Sequence, residues 1–348
     1  MSIQQWTTDL TGLSSLVQST APLPTPGDNE VLVEIRAVSL NYRDVEVIKG
    51  EYTHHKSVSG TDRKVPCSDM CGIITQTGPN VTRFAVGDRV LSTFLPDHLT
   101  GQVTEKELSR GLGHPAPGVL ATHRVFAEEA LVKAPEGLSD EEASTLPIAS
   151  VTAWMSLAGR ARKGTVVLLQ GTGGVAIAGL QIAKALGATV IITSSSPTKL
   201  SQATALGADH VINYRTTPAW DQEVLRLTSG HGADIILETG GAQTLRKSLE
   251  CIAFGGLINC IGYLSGKIDD PEDDRINVNL LVLRRTVTLQ GIINGPRDRF
   301  EEMVRFYEER GVKPVVNKVF GFGEVREACG FLESGGHFGK VVVRTTMN

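Results

Sequence analysis

The chain has 348 residues, 41% of them hydrophobic, with 37 glycines and a formal net charge of −4. That length suits two domains rather than one, and that apolar share suffices for a sizeable core. No basic tract offers itself to a nucleic acid or an anionic membrane surface, and no apolar run approaches the ~18 residues that span a bilayer.

The N-terminal MSIQQWTTDL lacks the basic-then-apolar layout of a signal peptide. Cys67, Cys71, Cys251, Cys260 and Cys329 form an odd, scattered set unlike a secreted disulfide framework. A cytoplasmic location with reduced thiols is expected.

Pro-rich APLPTPG (21–27) precedes VLVEIRAVS (31–39), which alternates like a half-buried strand. Short β-like runs follow at GIITQTG and DRVLSTF, and residues 96–120, polar with Gly and Pro toward the end, read as a long loop. From about residue 127 the texture changes. TVVLLQ (165–170) is a continuous apolar run, as in a strand buried on both faces. Helical spacing in VAIAGLQIAKALG, buried TVIITS, helical KLSQATALG, strand-like HVINY, helical WDQEVLRLTSG, strand-like DIILETG, a helix from Gln243 to Cys251 and strand-like GGLINCIG come next. This alternation predicts parallel βαβ units in a doubly wound sheet. The tail carries an amphipathic helix (297–311), KPVVNKVF, a short helix at VREACGFLES and a last strand, KVVVR. Its α+β texture suits a segment that completes the β-rich domain.

Gly171-Thr172-Gly173-Gly174-Val175-Ala176 stands between a buried strand and an amphipathic helix. A GxGxxG/A turn there brings backbone N–H groups against a pyrophosphate at a positive helix N-terminus, so dinucleotide binding is expected. An NAD site usually places an acid at the end of the second strand, ~20 residues on, for the ribose 2′-OH. This chain has Ser194, Ser195, Ser196, Pro197, Thr198 and Lys199. Hydroxyls and a lysine suit a 2′-phosphate, and Tyr214 with Arg215 follows the next strand. NADP is therefore expected over NAD. The plainer alternative is a serine helix cap and a solvated lysine.

The stretches AVSLNYRD (37–44), VPCSDMCGIITQTGPNVTRFAVGDRV (65–90), LPIASVTAW (146–154), QGTGGVAIAGLQIAKALGA (170–188), KLSQATALGADHVINYR (199–215) and HFGKVVV (337–343) resemble the medium-chain dehydrogenase/reductase superfamily. The likeness is to its zinc-free, quinone-oxidoreductase-like or alcohol dehydrogenase-like branch. The resemblance implies an α/β fold with a GroES-like catalytic domain (residues 1–126), a Rossmann domain (127–292) and a return segment (293–348). Zinc-dependent members take catalytic ligands at positions that hold Asn41, Ser68 and Ile148 here, and the family's structural-zinc loop is absent. No metal is expected, and Cys67 with Cys71 reads as two core cysteines.

The resemblance further implies hydride transfer between NADPH and a quinone, an α,β-unsaturated carbonyl or a related carbonyl. Asn41 and Thr152 would face the nicotinamide, and Tyr52 the substrate. Gly262, Tyr263, Ile292, Phe338 and Lys340 would lie along the cofactor. Arg43 with Asp44 reads as a structural pair, Asp69 as a loop-ordering acid, Trp154 as packing, and His54 and His55 as solvated. Alcohol–aldehyde interconversion or enoyl reduction in a biosynthetic pathway stays open, as does a catalytically weak NADPH-binding regulator or crystallin-like protein. The expected partner is a small-molecule substrate, and homodimerisation is expected through the strand-like 284–291.

Overall fold

A computed structural model describes residues 1–52, 63–266 and 277–345. Contacts divide the chain into two compact units, Met1–Val151 with Asn294–Asn348, and Thr152–Ile293. The first stretch supplies strands β1 (Ser2–Thr7), β2 (Val17–Pro22) and β3 (Glu30–Leu40), helix α1 (Tyr42–Ile48), β4 (Asp69–Thr77), β5 (Arg89–Ser92), α2 (Glu105–Leu108), β6 (His123–Ala127), β7 (Leu131–Lys133) and α3 (Asp140–Ala143). The middle supplies α4 (Val151–Leu157), β8 (Val166–Gln170), α5 (Gly174–Ala185), β9 (Thr189–Ser194), α6 (Pro197–Ala205), β10 (His210–Asn213), α7 (Trp220–Leu227), β11 (Ala233–Glu238), α8 (Leu245–Cys251), β12 (Ile252–Cys260), α9 (Val278–Arg284) and β13 (Thr288–Gly291). The return supplies α10 (Arg297–Arg310), β14 (Val316–Gly321), α11 (Val325–Glu333) and β15 (Lys340–Arg344).

In the first unit a seven-stranded sheet runs β14-β15-β3-β4-β5-β7, with β6 also paired to β3, beside the β1–β2 hairpin. The tail thus completes the β-rich unit, through β15 antiparallel to β3. Strand β3 is the spine of this sheet. Val31, Leu32, Val33, Ile35, Ala37 and Val38 are all buried, so it is covered on both faces rather than half-buried. Its polar residues Glu34 and Arg36 share one face and pair at 3.1 Å. Residues 127–151, expected with the Rossmann domain, belong to this unit, because β7 pairs with β5 and α3 packs on β3 and β4. The 96–120 loop contains α2, capped by Thr104.

The second unit is a six-stranded, all-parallel sheet in the order β10-β9-β8-β11-β12-β13. Its strands are apolar on both faces because helices cover both sides. Leu168, Ile191, Ile236 and Ile258 meet helical Trp220, Val224 and Leu249 in its core. Strand order reverses between β8 and β11, and in such sheets ligands bind beyond the strand C-termini at that reversal. Strand β13 forms one edge. Among the described residues no helix is long and apolar enough to cross a membrane.

Candidate functional site

In the second unit the strand ends build a dinucleotide cradle. Gly171, directly after β8, has φ +75°, a left-handed conformation that side-chain-bearing residues adopt only under strain. Gly173 is the N-cap of α5 and Gly174 its first residue, so the free N–H groups of the first turn lie at the end of β8. Thr172 is buried and Val175 half-buried.

At the end of β9, Ser194 is buried, and its Oγ accepts from Ser196 N at 3.3 Å. Ser196 caps α6 by accepting from Lys199 N, so the cap belongs to that serine while Ser195 stays half-buried beside it. Burial lowers the Lys199 ammonium from its usual value. Tyr214 is exposed, and its backbone N–H donates to Ser194 O at 3.2 Å. The structure therefore brings Ser194, Ser195, Lys199 and Tyr214 to neighbouring strand ends.

Sequence reasoning missed the residues at the reversal point. Glu238 ends β11 and is 1% exposed. Its carboxylate accepts from Gln170 Nε2 at 2.7 Å, from Gly240 N and Gly241 N at 3.0 Å each, and from the hydroxyls of Thr244 and Ser248. Gln170 Oε1 in turn accepts from Thr239 N and Gly240 N at 3.1 Å each. Such a fully satisfied network fixes the 239–244 turn rigidly. A Cβ at Gly262 would stand 2.9 Å from Thr239 O, so that close approach requires glycine. Tyr263 follows it, half-buried, and Ile292 is buried just past β13, its N–H on Cys260 O at 3.0 Å. The sequence signal for Glu238 was a lone acid closing the apolar run DIILE. Thr152, in α4, is buried with an Oγ1 that makes no hydrogen bond among the described residues.

In the first unit the ends of three adjacent strands, β15, β3 and β4, assemble a polar cluster. The register sets Val341 against Leu40 and Ser39 against Asp69. Lys340, Asn41 and Asp69 therefore fall together. Lys340 Nζ donates to Asn41 Oδ1 and to Leu40 O, each at 2.6 Å. Asp69 accepts from Ser68 Oγ at 2.6 Å and from Ile148 N at 3.1 Å. Burial pushes the Asp69 carboxyl up, while Lys340 pulls it back. Asn41 Nδ2 lies near enough to Asp69 to help lower it, yet completes no hydrogen bond within good geometry. Phe338 is buried two residues before Lys340.

Arg43 pairs with Asp44 at 4.0 Å, as expected, and has further partners. Its guanidinium stands 4.7 Å from the Tyr52 ring centroid and 4.8 Å from that of Phe94, and it donates to the carbonyls of Leu112 and His114. Tyr52 is thus placed as one wall of a cation–π stack. His54 and His55 lie outside the described residues.

Asp44 accepts from Asn41 N at 2.8 Å, and burial pushes its carboxyl up to about 6. The native state then holds this proton more tightly than the unfolded chain does. Stability from Asp44 is present below the ordinary carboxylate range and is lost as pH rises to about 6, a cost on the order of 3 kcal/mol. Asp44→Asn should therefore gain stability over the parent progressively from pH ~4 to ~7. Paired thermal melts across that range check it, and a constant difference would contradict it.

The donor set at the three zinc-ligand positions does not fit zinc. Ile148 offers only an alkyl side chain, and Ser68 Oγ is spent on Asp69. The oxygen of Asn41 already faces an ammonium. Tetrahedral zinc needs N, S or O ligands without a cation beside them. Among the described residues no group of three or more His, Cys, Asp or Glu is placed to hold a metal. Cys67 and Cys71 are buried in the core, and burial pushes both thiols up. A nicotinamide dinucleotide does fit the Gly171 turn and the N-terminus of α5.

Residues 27–136 match the alcohol dehydrogenase GroES-like domain, and residues 174–309 match a family described as zinc-binding dehydrogenase. Neither Asn41, Ser68 nor Ile148 falls in the latter stretch. A zinc-type alcohol dehydrogenase-like protein of Schizosaccharomyces pombe is 40% identical over 319 residues, 90% of each chain. A crystal structure of a Sinorhizobium meliloti protein assigned as an alcohol dehydrogenase has a TM-score of 0.89 at 42% identity, covering 99% of both chains. An NAD-dependent alcohol dehydrogenase has a TM-score of 0.86 at 33% identity, covering 99% of this chain and 100% of the other. The chain belongs to the medium-chain dehydrogenase/reductase superfamily, alcohol dehydrogenase-like, and is an oxidoreductase whose family binds nicotinamide cofactors.

Proposed function

We propose that the chain is an NADPH-dependent oxidoreductase that works without zinc and reduces quinones, α,β-unsaturated carbonyls or related carbonyls. The observation that carries this reading is the Asn41 cluster: a neutral amide, oriented by a buried ammonium, stands where a zinc-dependent relative would place a cysteine. Bound reduced nicotinamide supplies the hydride. The first turn of α5 binds the pyrophosphate, and Ser194, Ser195 and Lys199 hold the 2′-phosphate, where a carboxylate would repel it. Asn41 Nδ2 donates to the acceptor's oxygen as negative charge develops there. A conjugated acceptor spreads that charge over several atoms, so an amide donor serves where a simple ketone would call for a metal. Thr152 lends a buried hydroxyl to the nicotinamide.

Alcohol–aldehyde interconversion with NAD is a second reading, favoured by the NAD-dependent neighbour at 33% identity. Steady-state rates with NADPH and NADH over quinones, enals, saturated aldehydes and alcohols separate the two. Quinone or enal turnover faster with NADPH supports the first. Alcohol oxidation with NAD as the fastest reaction would sink it. For assembly we propose a homodimer through β13, whose outer edge, unpaired among the described residues, offers peptide groups to a second copy.

A further inference from the structure

We infer that Lys340 is the positioning residue of the Asn41 amide, acting on the acceptor through Asn41 and not by holding the cofactor. The inference rests on the reading of Asn41 as the donor to the acceptor's oxygen. An ammonium has three donors and no acceptor. Two of the Lys340 donors go to Leu40 O and Asn41 Oδ1, at 2.6 Å each. The amide oxygen must therefore face Lys340, which turns the Nδ2 donors away from it.

The terminal torsion of asparagine is broad and roughly two-fold, so an unheld amide turns over at little cost. Turned over, it would present its oxygen to a developing oxyanion and repel it. Lys340 on the amide oxygen, with the Asp69 carboxylate beside the amide nitrogen, prevents this from a site where the lysine is 6% exposed, anchored at the first residue of β15. A buried cation on the amide oxygen also polarises the opposite N–H groups, strengthening them as donors. Burial pulls the Lys340 ammonium down from its usual value, while the neighbouring Asp69 and Asp44 push it back up. That ion balance explains how the β-rich unit tolerates a buried ammonium where it holds no metal ligand set.

The test is a double-mutant cycle with Asn41→Ala, Lys340→Met and both together, using NADPH and the faster of 1,4-benzoquinone and trans-2-hexenal. NADPH affinity is measured by nicotinamide fluorescence on the same proteins. Lys340→Met should lower kcat about tenfold or more while leaving the NADPH Kd within about twofold. In the Asn41→Ala background the same change should cost less than about twofold, since the residue it acts through is gone. Should Lys340→Met fail to fold because Asp69 is left unbalanced, Asp69→Asn/Lys340→Met replaces it, with the same expectation against Asp69→Asn. Full kcat in Lys340→Met beside an impaired Asn41→Ala overturns this inference alone. Multiplying losses, or a loss seated in NADPH affinity, also overturn it. An unimpaired Asn41→Ala instead removes the reading of Asn41, and this inference with it.

Discussion

Asn41→Ala is expected to lower kcat by about a hundredfold to a thousandfold, the usual cost of removing one preorganised oxyanion donor. The amide is 9% exposed, fixed by Lys340 on its oxygen, and its Nδ2 makes no completed hydrogen bond. In the resting protein this donor faces the Asp69 carboxylate without reaching good hydrogen-bond geometry. An acceptor oxygen gains most from this donor when it carries charge, so the loss belongs in kcat rather than in substrate affinity. The Gly171 turn and the Ser194–Lys199 segment proposed to hold the cofactor's phosphates lie in the second unit, so NADPH affinity should hold. Steady-state kinetics with fluorescence binding checks this. A rise in KM at unchanged kcat would assign Asn41 to ground-state binding only.

Ser194→Asp should reverse or erase the proposed preference for NADPH. Ser194 ends β9, next to Ser195 and the Lys199 turn, at the place where an NAD site carries its ribose-binding acid. A carboxylate there faces a phosphate of like charge, which costs several kcal/mol, while it gains a partner in the 2′-OH of NADH. The ratio of kcat/KM for NADPH over NADH should fall by about a hundredfold or more. An unchanged ratio would mean that the 2′-phosphate is held elsewhere. A parent protein already preferring NADH would mean that Ser194 only holds the turn into Ser196 and Lys199 only flanks α6.

The doubly wound unit was legible because buried parallel strands are written as continuous apolar runs, and TVVLLQ, TVIITS and DIILE each became a strand of one sheet. The Gly171 turn was legible for the same local reason, since strand, turn and helix are contiguous. The N-terminal hairpin was not, because SIQQWT and VQSTAP are largely polar and only their pairing makes them strands. Residues 127–151 were misjudged because the short β7 carries no periodic signal, and only its partner β5 assigns it to the first unit. The Asn41 cluster lay furthest from view. Lys340 and Asn41 are 299 positions apart, and only the β15–β3 register brings the ammonium to the amide oxygen. Arg43 beside Asp44 suggested an ion pair, which forms at 4.0 Å, while the contacts of the guanidinium with the Tyr52 and Phe94 rings and two loop carbonyls were not legible.

The most direct test of hydride transfer without zinc is elemental analysis of the purified protein, paired with NADPH-dependent turnover before and after dialysis against 1,10-phenanthroline. With Ile148 and Ser68 at two of the three ligand positions and an ammonium on the third, the protein should carry far less than one zinc per chain and keep its full rate. One tightly held zinc per chain, with turnover lost on chelation and restored by added zinc, would contradict it.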